Sequence, residues 1–140
     1  MNIYLVIILA ILIGEYLLGL VVEGLNLRAA LPVLPREFKG FYDSKVYSKS
    51  QDYLRENTKF KLVKSTCLLL IILTFILTGG FNFVDRLSRG FNLTPIPTGI
   101  IFAGILTLAL QILNIPFAAY RTFVIEERYG FNRTTWVTFV

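Results

Sequence analysis

Two carboxylates one helical repeat apart in an apolar run, Glu15 and Glu23 with Gly19 between them, are the first residues in this chain whose types and spacing suit chemistry. At about 3.6 residues per turn, steps of four keep the three on one broad side of a helix. Thr107, Gln111, Asn114 and Arg121 step by four, three and seven through another apolar run, which gives that helix one polar face. The run then leaves the apolar region as a dense charged segment carrying Tyr120, Glu126, Glu127, Arg128, Phe131, Asn132 and Arg133. Acids, amides and a guanidinium at such positions suit the wall of a hydrated chamber or contacts to a polar substrate. An equally physical reading is structural, with Glu15 or Glu23 paired to Arg121 or to a tyrosine inside a helix bundle. Glu15 lies near the middle of its run, where an ionised side chain costs about 2.5–3.5 kcal/mol even on an insertion scale, so it must face protein or water or be protonated.

Histidine is absent from the 140 residues. That removes the commonest general base and the commonest zinc ligand, so neither a His-x-x-x-His metal helix nor a Ser-His-Asp triad fits within the sequence. The one cysteine, Cys67, sits inside an apolar run, where it reads as a small packing residue and has no disulfide partner.

The elements that must position these groups are membrane helices. The composition is 55% hydrophobic and 16% charged, against roughly 25% charged in soluble domains, and the apolar residues gather in three blocks of membrane-spanning length. Spans are expected at about residues 3–25, 62–83 and 96–119. A cytoplasmic connector and stalk fill 26–61 and a juxtamembrane motif 120–135. The first span is too long for a signal peptide, lacks a basic start and contains two glutamates, so it is read as an uncleaved helix. Pro32, Pro35 and Gly40 interrupt the connector. From Asp43, an expected N-cap, a helical pattern runs without Pro or Gly to Thr78. Within it Val46, Tyr53 and Phe60 repeat every seven residues, an apolar stripe read as a docking surface for a further soluble domain rather than a stalk packed on its own neighbours. Gly79 and Gly80 are expected to begin a loop whose Phe81, Phe83 and Phe91 suit a membrane interface. Asn92-Leu-Thr94 matches a glycosylation sequon but hugs the membrane. Pro116 is expected to interrupt the third span, Gly130 to cap its extension, and Thr134 onward to open a fourth helix.

Nine lysines and arginines lie between Arg28 and Lys64, two in the second loop and three after the third span. The positive-inside rule therefore sets the N-terminus outside, with 26–61 and 120–135 together in the cytoplasm. Such a pattern accounts for the net charge of +5 without nucleic acid, for which no binding motif is present.

Three segments resemble the N-terminal membrane region of type I CAAX prenyl proteases, integral-membrane zinc metalloendopeptidases. They are Leu34-Pro-Arg-Glu-Phe-Lys-Gly-Phe-Tyr42, Lys49-Ser-Gln-Asp-Tyr-Leu-Arg-Glu-Asn-Thr-Lys-Phe60 and Tyr120-Arg-Thr-Phe-Val-Ile-Glu-Glu-Arg-Tyr-Gly-Phe-Asn-Arg-Thr-Thr135. The resemblance implies an all-α integral membrane fold: three transmembrane helices plus the start of a fourth, the second extended into the cytoplasm, within a larger helical barrel around a hydrated chamber. It implies removal of the last three residues of prenylated CAAX proteins by a zinc held in a His-Glu-x-x-His motif, which this sequence lacks. The chain is thus expected to be an N-terminal fragment, inactive alone, without metal or catalytic residues of its own. Its expected partners are the lipid bilayer, a C-terminal protease domain, the prenylated or membrane-associated peptide substrate of the parent, and, for the fragment, copies of itself. The membrane is that of the endoplasmic reticulum in a eukaryote or the cytoplasmic membrane in a prokaryote. Glu15, Glu23, Gln111, Asn114 and Arg121 are candidates to line the chamber or touch substrate. Tyr120, Glu126, Glu127, Phe131, Asn132 and Arg133 form a signature near the protease junction. Other classes remain: a membrane quality-control protease with non-prenylated clients, a non-catalytic scaffold or chaperone, and a transport module.

Overall fold

A computed structural model describes residues 2–30, 34 and 43–139, with backbone only at 136 and 137. Most of the first resemblance segment, including Pro35 and Gly40, lies outside the described residues, as does Pro32. Among the described residues every regular element is helical: α1 (Ile3–Ala29), α2 (Ser44–Leu77), α3 (Gly80–Arg89), α4 (Pro95–Tyr120), a wide π turn (Arg121–Glu126) and the short α5 (Trp136–Phe139). Three of these, α1, α2 and α4 with its π extension, are long and apolar enough to cross a membrane, and none of their most apolar windows is buried within the chain. Side chains such as Ile11, Leu18 and Ile112 turn outward, an arrangement costly in water and natural against lipid or neighbouring helices.

Residues 1–69 with 119–140 form one compact unit and residues 70–118 a second. In the first unit α1 starts at Asn2, whose side chain accepts from the Tyr4 amide at 3.0 Å, and it continues to Ala29, four residues beyond the expected end at Leu25. Asp43 caps α2 as expected, its carboxylate accepting from the Lys45 amide at 2.8 Å. At about 1.5 Å per residue, the 34 residues of α2 reach roughly 50 Å, well beyond a hydrocarbon core of about 30 Å. The small buried core of this unit includes Ala30, Leu34, Thr58 and Ile125.

In the second unit, the helix expected to reach Phe83 stops at Leu77, and the expected loop is the helix α3. Gly79 takes φ +79°, a left-handed turn that glycine adopts without Cβ strain, and Gly80 opens α3. Gly80, Val84 and Ser88, each four residues apart, form its buried edge. Pro95 and Pro97 occupy the first turn of α4, where a missing amide hydrogen costs little. The expected break at Pro116 does not occur: α4 runs through it, and the departure from α pitch comes at Arg121.

Candidate functional site

The charged segment after α4 is where the sequence's functional signature becomes a three-dimensional object. Residues five apart align along a π turn, and the Arg121 guanidinium accordingly meets the Glu126 carboxylate, Nε to Oε1, at 3.2 Å. Ile125, 1% exposed, pins the turn inward. Gly130 ends this helical run in the left-handed region at φ +72°, and the Phe131 and Asn132 amides both donate to the Glu126 carbonyl, at 2.8 and 3.2 Å. The Asn132 side chain closes the knot: its amide nitrogen donates to Glu127 at 2.8 Å, and its oxygen accepts from the Thr134 backbone at 2.7 Å. Phe123 packs edge-on to Phe139 at 5.2 Å, which ties the start of the next helix to the π turn. Arg133 remains exposed.

This knotted segment lies along α2. Tyr53 meets Tyr129 and Phe131 edge-to-face at 5.4 and 4.9 Å, and Phe60 stacks on Tyr120 at 5.2 Å. Glu56 forms an ion pair with Arg128 and lies beside the Tyr129 hydroxyl. The heptad stripe is therefore met at Tyr53 and Phe60 by the chain's own signature segment, on the face where a further soluble domain was expected to dock. Val46 stays exposed at 65%.

Tyr129 reports this clasp. Burial first, then the hydrogen bond and the negative charge of Glu56 with that of Asp52, raises its pKa above the ordinary 10.0, Arg128 opposing. Because the folded value lies above the unfolded one, Tyr129 contributes stability that is complete below pH ~10 and lost as pH rises through its folded pKa. The amplitude of the tyrosinate absorbance lost in Tyr129→Phe should therefore come from the high-pH end of the titration. A wild-type curve superimposing on that of the variant would contradict the clasp.

The intramembrane glutamates separate. Glu23, its side chain 14% exposed, forms an ion pair with Lys61 of α2 and takes a longer hydrogen bond from Asn26 at 3.4 Å. Further along the same α1–α2 contact the Tyr16 hydroxyl meets the Thr66 hydroxyl at 2.8 Å. The expected pairing of Glu15 or Glu23 with Arg121 is thus replaced: Glu23 takes Lys61 and Arg121 takes Glu126. Glu15 is exposed and makes no ion pair among the described residues, and Gly19 has open space where a Cβ would stand. Eight residues at 100° each leave Glu15 about 80° around the helix from Glu23, away from the edge that meets α2.

In the second unit Gln111 is exposed, Asn114 is half-buried and Thr107 exposed. Asn114 Nδ2 donates to the Leu110 carbonyl at 2.8 Å, and the Thr107 hydroxyl to that of Ala103 at 2.8 Å, so part of the polar face is spent on its own helix. Sequence reasoning missed Glu56 and Lys61 as partners. The signal available was their opposite charge at matching depth on an antiparallel neighbour.

The sequence profile described as CAAX prenyl protease N-terminal, five membrane helices, matches residues 25–140. This chain belongs to the CAAX prenyl protease family. A probable CAAX prenyl protease 1 of Schizosaccharomyces pombe is 35% identical over 146 residues, covering 91% of this chain and 30% of the relative. A CAAX prenyl protease 1 homolog of Arabidopsis thaliana is 30% identical over 118 residues, covering 79% and 28%, and that of Homo sapiens 29% over 109 residues, covering 73% and 23%. The crystal structure of S. mikatae Ste24p superposes with a TM-score of 0.84 at 23% identity, over 94% of this chain and 32% of that one, a likeness of fold. The chain thus spans about a third or less of the length of the CAAX proteases it matches, and it is their helical, membrane-spanning N-terminal region.

The family's implied zinc finds no fit here: the sequence has no histidine, and no three His, Cys, Asp or Glu side chains group as a metal site among the described residues. No step of a metal-assisted reaction is therefore assigned to these residues.

Proposed function

We propose that this chain is the membrane-embedded N-terminal part of a zinc metalloendopeptidase that releases the C-terminal tripeptide of prenylated CAAX proteins. In this reading it forms part of a chamber wall within a helical barrel and supports the protease portion, whose residues hold the zinc. The observation that carries the reading is the clasp between α2 and the signature segment. Tyr53, Glu56 and Phe60 hold Tyr120–Phe131 at the point where the chain leaves the apolar helix, and a rigid membrane exit is what a protease portion placed next in the sequence requires. The same contact supports placing residues 43–61 and 120–135 on one side of the membrane, and the excess of Lys and Arg there favours the cytoplasm. Glu15 and Gln111, exposed on their helices, and Asn114, whose Nδ2 is held by the Leu110 carbonyl, are the residues proposed to face the chamber. Glu23 and Arg121 serve it indirectly, through Lys61 and Glu126.

The test is peptidase activity of the complete gene product on a farnesylated CAAX peptide, with and without a zinc chelator. Chelator-sensitive release of the tripeptide is expected, with activity restored by added zinc. Bound zinc without cleavage of this peptide would point to non-prenylated clients, and neither zinc nor cleavage to a scaffold.

A further inference from the structure

Helix α2 outruns the segment that clasps it. Read from the membrane outward, Phe60 meets Tyr120, Glu56 meets Arg128, and Tyr53 meets Tyr129 and Phe131. There the segment turns back through Gly130 and the Asn132 knot, with Lys49 Nζ 3.9 Å from where a Cβ on Gly130 would stand. Residues 44–52 therefore project past the clasp by about 13 Å at 1.5 Å per residue, and none of them is buried.

The apolar stripe continues onto this tip. Val46 lies one heptad before Tyr53, about 20° around the helix from it, and is 65% exposed. Phe131, although packed on Tyr53, is still 53% exposed. The clasp thus ends in an open apolar step, one side on α2 and the other on the signature segment. The tip is also a weak helix by itself. Ser44, Val46, Tyr47, Ser48 and Ser50 are middling to poor helix formers, and a helix end of two turns without tertiary contacts frays in water. Lys49, and Arg133 two residues beyond Phe131, are exposed and form no ion pair among the described residues, which gives the step a basic border.

We propose that this step seats the protease portion that follows in the complete gene product, an apolar side chain of that portion lying between Val46 and Phe131 and its carboxylates meeting Lys49 and Arg133. The inference rests on the function proposed above for the existence of that portion. Tethering selects this occupant over a second copy or a separate protein. Helix α5 belongs to the same compact unit and is tied to the π turn through Phe139 and Phe123, and only 30% of the S. pombe relative is covered by this chain. In that reading the chain that follows starts beside the step and meets it at high effective concentration.

The experiment places the photocrosslinker p-benzoylphenylalanine at position 46 of the complete gene product in lipid nanodiscs, and at position 45, about 100° around the same turn, as the control. On irradiation, position 46 is expected to crosslink to peptides beyond residue 140 of its own polypeptide, and position 45 not to. Hydrogen exchange gives the second readout. Val46→Asp should accelerate exchange at the amides of 47–51 about tenfold, as for unburying one valine. An aspartate in the first turn favours the helix itself, so the acceleration reports lost docking. Lys49→Gln/Arg133→Gln should accelerate the same amides about twofold to fivefold. Crosslinks confined to residues 1–140, or reaching a second copy or another protein, would overturn the proposal, as would equal exchange in wild type and Val46→Asp. Neither readout uses catalysis. A gene product that docks without cleaving the farnesylated peptide contradicts only the function proposed above, and a chelator-sensitive peptidase that crosslinks only within residues 1–140 contradicts only the docking.

Discussion

Tyr53→Ala should release the signature segment from α2. Two edge-to-face ring contacts, to Tyr129 and Phe131, disappear together. Each contributes about 0.5–1.5 kcal/mol beyond the area it buries, so about 1–3 kcal/mol is lost before counting that area. The effect should spread. Glu56 lies one helical turn after Tyr53, and its ion pair with Arg128 and its proximity to Tyr129 depend on the segment being held against α2. An exposed ion pair contributes at most about 1 kcal/mol and does not keep the clasp shut unaided. Hydrogen exchange at the amides of 126–132 should accelerate in Tyr53→Ala and stay near wild type in Tyr53→Phe, which keeps the ring. Under the function proposed above, peptidase activity of the complete gene product should fall with it. Unchanged exchange in Tyr53→Ala would mean that the π turn and the Glu126 carbonyl knot hold the segment without α2.

Gly80→Ala should disrupt the corner between α2 and α3. A Cβ built there would lie 2.3 Å from Phe75 Cδ2, 2.4 Å from Cε2 and 2.6 Å from Cγ, well inside contact distance. Moving the ring aside would disturb its edge-on contact with Phe81 at 5.1 Å. Overpacking of this kind costs about 1–3 kcal/mol, and the preceding Gly79, already left-handed, offers no slack to a bulkier corner. The melting temperature should drop by several degrees. Shortening the obstacle should restore part of it, so the double variant Phe75→Leu/Gly80→Ala should be less harmful than the sum of its single changes. Strict additivity would show that the alanine strains something other than Phe75.

The two predictions concern opposite kinds of information. Membrane character, the number of membrane spans and the continuity of α2 from Asp43 into its span follow from the sequence because apolar length and the absence of Pro and Gly are local properties, and a hydrocarbon solvent leaves the backbone few alternatives to helix. The family was legible for a similar reason, since its three motifs are contiguous strings. The sequence misled where the outcome depended on what stood opposite. Gly79-Gly80 marks the end of a helix, yet only the packed Phe75 ring shows that the second glycine begins another. Asn82, Asp85, Ser88 and Gly90 read as loop by composition, while Gly80, Val84 and Ser88 bury one edge of a helix.

Pairing was not decided by the sequence. Glu23 and Arg121 were visibly in need of partners, but the choice of Lys61 and Glu126 was made by how α1 meets α2 and by the wide pitch after Tyr120. The heptad stripe of Tyr53 and Phe60 likewise announced a surface to be covered. Only the tertiary structure decided that Tyr120–Phe131 covers it, because which of several compatible apolar faces meet is set by chain geometry and not by the faces themselves.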